Sequence, residues 1–95
     1  MPRKLTETGQ FKKDKKRIKG SGRHDWNNMR GLVEPLMNDL PLETRHHDHP
    51  LSGEYAGVRE CHVSPDWLLI YDRVGDTHTG ELRLIRTGSH SELFR

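Results

Sequence analysis

Two strand-like runs that meet across a tight turn constrain this chain more than any other feature. GVRECHV (57–63) and DWLLIYDRV (66–74) are rich in β-branched, aromatic and large apolar residues. Ser64-Pro65-Asp66 between them suits a reversal in which proline pre-sets φ at the first central position. A hairpin is the consequence. A loop rich in Gly, Asp and Thr (75–80) then leads to ELRLIRT (81–87), a third strand of an antiparallel sheet that Gly88 ends. SHSELF reads as one helical turn or a tail laid back on that sheet, with Ser89 as its cap.

Helices precede the sheet. After a short strand at Leu5–Thr8, Phe11 and Ile18 lie two turns apart in FKKDKKRIK, a thin apolar stripe on a basic helix. Gly20-Ser21-Gly22 breaks this helix, and Asp25 can cap a second one from Trp26, whose Trp26, Met29, Val33, Leu36 and Leu40 recur at helical spacing. Pro35 should kink that helix or restart it, because it lacks an amide donor and clashes with the preceding turn. Residues 41–53, PLETRHHDHPLSG, read as an extended loop. The architecture expected is α+β: two N-terminal helices packed on a small antiparallel sheet, with a short C-terminal helical turn, all in one domain over residues 1–95.

Composition excludes several classes. The chain has 95 residues, and its 31% apolar and 32% charged content is too polar for a membrane protein. One cysteine, Cys61, allows neither an internal disulfide nor a thiolate zinc site. No apolar leader opens the sequence, so a cytoplasmic protein is expected, with no membrane partner. Residues 1–30 hold ten Lys+Arg against three Asp+Glu, and residues 31–95 hold six against eleven, so the halves carry +7 and −5. A basic face able to meet a polyanion follows, with a solvated helix face as the plain alternative. Lys12, Lys13 and Lys16 are its candidate phosphate contacts.

There are seven histidines. Strand alternation puts Glu60 and His62 on one face, with Cys61 and Val63 on the other. The turn brings Asp66 and Trp67 near, and the loop after the last strand returns His90 toward the same edge. Metal-free RNA cleavage needs a base for the 2′-hydroxyl, an acid for the departing 5′-oxygen and positive charge near the phosphate. Histidine serves both proton transfers, since both of its forms are accessible near neutral pH. Trp67 and Phe94 are candidate stacking partners for bases, although an aromatic in so small a protein is more often core. The crowded His46, His47 and His49 raise a zinc site as a rival, but adjacent histidines diverge in an extended loop and no thiolate accompanies them. Cysteine nucleophilic catalysis is weaker still, because Cys61 points away from His62.

The run Asp48-His49-Pro50-Leu51-x-Gly53, then Gly57-x-Arg59-x-x-His62-Val63-x-Pro65-Asp66-Trp67-x-x-Ile70-Tyr71, then Arg86-Thr87-Gly88-x-His90-x-x-x-Phe94, resembles the YafQ branch of the RelE/ParE toxins. The resemblance spans the second half almost continuously and the first half more weakly. It implies a toxin of a type II toxin–antitoxin system that cleaves messenger RNA in the ribosomal A site without a metal or other cofactor. It also implies a DinJ-like antitoxin as partner, with operator DNA bound only as the toxin–antitoxin complex. Carried over position by position, the family's active site falls on His49, His62, Asp66, His90 and Phe94, with Trp67 beside them. Glu60, a candidate substrate contact, stands where the resemblance leads one to expect aspartate, and Pro35 is a second departure. His90, in a tail after the last strand, is the candidate general acid. The alternatives are a toxin of the same fold without RNase activity, such as a gyrase poison, and a plain nucleic-acid-binding module.

Overall fold

The computed structural model describes residues 3–53 and 57–94. Its elements run β1 (Lys4–Glu7), α1 (Gly9–Ser21), α2 (Trp26–Met37), a 3-10 turn (Thr44–His46), β2 (His49–Pro50), β3 (Arg59–Ser64), β4 (Trp67–Val74), β5 (Glu81–Gly88) and α3 (His90–Leu93). The α+β architecture is as expected. Ser64 faces Trp67 across the Pro65-Asp66 turn, and β5 pairs antiparallel with β4. The sheet order is β1-β5-β4-β3-β2. One edge differs from a wholly antiparallel sheet: β1 runs parallel to β5, with Lys4 opposite Glu81 and Glu7 opposite Leu84, so the sheet is mixed. Side-chain alternation marks a strand but says nothing of its pairing partner.

Central β4 explains its own sequence. Trp67 through Tyr71 are all buried, because helices cover one face of this strand and a smaller apolar cluster covers the other. A strand buried on both faces reads as a continuous apolar run rather than an alternating one. Trp67, Leu69 and Tyr71 join Cys61, Val63, Leu82 and Leu84 beneath Phe11, Ile18, Met29, Leu32 and Leu36 of the helices. Leu68 and Ile70 turn the other way and pack with Leu93, Leu51, Val58 and Ile85.

Thr8 caps α1 by accepting from the Phe11 amide at 3.1 Å, and Asp25 caps α2 from the Asn27 amide at 2.9 Å. Pro35 neither breaks nor restarts α2. It sits in the last turn, where only the bond to the Gly31 carbonyl is forfeited, and the helix ends two residues later. Leu40 therefore falls beyond the helix and is 55% exposed, while Leu32 takes its place in the buried stripe. Residues 41–53 are more ordered than an extended loop. They contain the 3-10 turn, and His49–Pro50 adds a two-residue strand to β3.

Candidate active site

The β2–β3 pairing sets His49 opposite Glu60. Glu60 is only 4% exposed, and its Oε1 lies 3.5 Å from His49 Nε2 and 3.7 Å from His62 Nε2. This buried carboxylate is within ion-pair reach of both imidazoles and favours the protonated form of His62. His49 Nδ1 donates to the His47 carbonyl, which leaves Nε2 as the nitrogen turned to Glu60. Two anchors hold this segment to the sheet. Asp48 accepts from the Tyr71 hydroxyl and from Arg59 Nε, and His46 Nδ1 donates to the His62 carbonyl at 2.6 Å. The ring of His47, in a left-handed conformation, lies 5.1 Å from that of His62.

His90 completes the cluster from the first position of α3. Its ring meets His62 edge-on at 5.7 Å, Phe94 lies 6.2 Å away, and Asp66 Oδ1 is 4.0 Å from His90 Nδ1. The polar face of β3, the β3–β4 turn and the C-terminal turn thus bring His49, Glu60, His62, Asp66, His90 and Phe94 to one edge. His62 is shifted below its usual pKa of 6.5, first by burial and then by the neighbouring His47, His90 and His49, against the opposing pull of Glu60. His62 is therefore neutral at pH 7 and able to accept a proton.

Five of the expected substrate contacts take other roles. Trp67 is 1% exposed, its Nε1 donates to Thr87 Oγ1 at 2.8 Å, and its ring stacks on His24, so it offers no face to an RNA base. Glu60 is too buried to be a direct RNA contact. Lys12, Lys13 and Lys16 are exposed on α1, which packs on the helix-covered face of the sheet, whereas His62 lies on the opposite face. Cys61 lies in the core, where burial pushes its thiol up to about 12, so it is no nucleophile.

Residues 3–95 match the family described as "Bacterial toxin of type II toxin-antitoxin system, YafQ". The chain belongs to the YafQ toxin family. The mRNA interferase toxin YafQ of Escherichia coli K12 is 42% identical over 93 residues, covering 97% of this chain and 96% of that one. YafQ in the E. coli DinJ–YafQ toxin–antitoxin complex is 40% identical with a TM-score of 0.84, each chain covering 100% of the other. A copper-bound mutant toxin from Helicobacter pylori is 38% identical with a TM-score of 0.86, over 99% of this chain and 100% of that one.

Behind the histidines of this YafQ-family chain lies a network that the sequence reading missed. Asp14 is fully buried, yet it receives Arg17 Nη1 at 2.8 Å, Arg86 Nε at 3.0 Å, the Thr87 amide at 3.2 Å and Gln10 Nε2 at 3.2 Å. Burial alone would raise its pKa, but hydrogen bonds from Arg86, Arg17 and Thr87 outweigh that and hold it below 3.8. A signal existed: Phe11, Asp14 and Ile18 share one helical face, so a carboxylate stands at a core position.

Proposed function

We propose that this chain is an mRNA interferase, a ribosome-dependent endoribonuclease that cuts messages in the A site by metal-independent acid–base chemistry. The observation that carries this reading is the pair of imidazoles, His62 and His90, set edge-on at 5.7 Å with one of them neutral by burial. His62 takes the proton of the 2′-hydroxyl, and the resulting oxygen attacks the adjacent phosphorus. The 5′-oxygen leaves with a proton from His90. Asp66 stands where a carboxylate stabilises an imidazolium, and Glu60 fixes the orientation of His62 and His49. His49 brings a third imidazole to the phosphate, and Phe94, 40% exposed, offers a face to a base. The lysines of α1 lie away from this chemistry and suit the phosphates of the ribosome.

The identity to YafQ, whose structure with DinJ matches this chain along its length, supports a DinJ-like antitoxin as partner, and a toxin that cuts messages on ribosomes would act in the cytoplasm. Among the described residues no helix is long and apolar enough to cross a membrane.

The copper-bound relative bears on the role of metals. Glu60, His62 and His90 each offer one ligand atom within 4.8 Å of the others, a carboxylate and two imidazoles that suit a late transition ion. Such an ion would use the lone pairs that proton transfer needs, so its effect here is inhibition. Sequencing the ends of the products tests the mechanism. A 2′,3′-cyclic phosphate and a free 5′-hydroxyl are expected, and removing transition ions from the toxin should leave cleavage intact. A 5′-phosphate end would mean metal-assisted attack by water and would sink the scheme.

A further inference from the structure

The helix that carries His90 is four residues long, too short to hold its own geometry. Its position is set by what grips it. Leu93 is buried against Leu68 and Ile70, which fixes the far end. The near end is polar: Ser89 and Glu92 form a capping box, with the Ser89 amide donating to Glu92 Oε1 at 2.8 Å and the Glu92 amide to Ser89 Oγ at 3.2 Å.

Glu92 is then gripped from outside the turn. Arg17 Nε lies 3.1 Å from Glu92 Oε2, while the same guanidinium donates from Nη1 to Asp14 at 2.8 Å and from Nη2 to the Thr87 carbonyl at 3.2 Å. One arginine thus bridges a fully buried carboxylate of α1, the end of β5 and the cap of the His90 turn. The bridge passes close over Gly88: a Cβ there would come within 2.9 Å of Glu92 Oε1 and 3.0 Å of Arg17 Nη2 and would push on both ends of it. Asp14 has no part in proton transfer. A leucine at this place on the apolar stripe would fill it without the cost of burying a charge, so the carboxylate is there for what it holds.

We propose that Asp14 and Arg17 are positioning residues for cleavage: the chain Asp14–Arg17–Glu92 clamps the Ser89–Leu93 turn to α1 and so sets His90 against His62. The catalytic consequence rests on the reading of His90 as general acid. The clamp itself does not.

Arg17→Ala is the test, since this side chain is 42% exposed and its loss leaves the core in place. Single-turnover cleavage on saturated ribosomes should fall on the order of 10- to 100-fold with unchanged ribosome affinity, because small misplacements of an acid cost that much. Arg17→Lys should recover part of the loss. In a His90→Ala background, Arg17→Ala should add nothing, because both changes remove one function. Multiplying losses would show that Arg17 acts elsewhere and overturn the proposal. Glu92→Gln separates the clamp from a direct phosphate contact: it frees positive charge on Arg17 but breaks the bridge, so slower cleavage is expected and faster cleavage overturns the clamp. NMR contacts between the ring protons of His62 and His90 provide a reading independent of activity. They should weaken in Arg17→Ala, and their persistence overturns the clamp. Should His90→Ala itself cut at the wild-type rate, the acid assignment falls, and these contacts still decide the role of Arg17.

Discussion

The two faces of the sheet use the same strands for opposite ends. On the helix-covered face, Cys61, Val63, Trp67, Leu69 and Tyr71 are closed off beneath α1 and α2. On the other, Glu60 and His62 alternate with them along β3; Glu60 is buried there, while His62 at 19% exposure and His90 at 56% stay open to solvent. The period of a strand makes this division possible: neighbours in sequence face different solvents. Fold and reaction are thereby separable residue by residue. A buried carboxylate serves each face, Asp14 beneath the helices and Glu60 among the histidines, and both are held by cations or imidazoles.

The hardest test of that separation sets one position from each face of the neighbouring strands β3 and β4 against the other. His62→Ala should lower turnover on the order of 10²- to 10⁴-fold with nearly unchanged thermal stability. Leu69→Ala should do the reverse, losing about 2–5 kcal/mol of stability while each folded molecule cuts at the normal rate. Unfolding curves measured beside single-turnover rates check both, and a folded Leu69→Ala toxin that cuts poorly would show that the faces are coupled.

Trp67→Phe asks a finer question. The change removes the indole donor to Thr87 and should cost about 1 kcal/mol, with cleavage intact. A large drop in cleavage by a stable variant would mean that this indole reaches RNA after all.

The smallest effect lies in pH. In the proposed scheme cleavage needs neutral His62, whose pKa is lowered from 6.5 by burial, so the rate should fall on acidification only below that value. Glu60 pulls this pKa upward against burial, so Glu60→Gln should move the acid limb to still lower pH. A limb that moves upward would assign it to another group.

Much of this was legible in sequence, for reasons that also explain what was not. The turn at Pro65-Asp66 and the alternation through Glu60, Cys61 and His62 are local features, so the hairpin and its polar face could be read directly. The convergence of His90 followed from a glycine and a short tail placed after the last strand. Trp67 was misplaced because proximity along the chain does not tell which side of a doubly covered strand a ring will take. Asp14 looked like one more charge in a lysine-rich helix, and only its register with Phe11 and Ile18 betrays it. The parallel partner of β1 lies at a distance no local pattern encodes.

That last pairing also orders the making of the molecule in time. Thr6 Oγ1 donates to Glu81 Oε2 across 75 positions of sequence, and Asp14 waits for Thr87 across 73. During translation at about 5–20 residues per second, β1 is without its neighbour for roughly 4–15 s, paired to nothing until β5 has been made. Closing so long a loop costs chain entropy before the contact repays it, which slows folding relative to local contacts. A chain made only as far as β5 therefore carries no His62–His90 pair, which comes into being with α3.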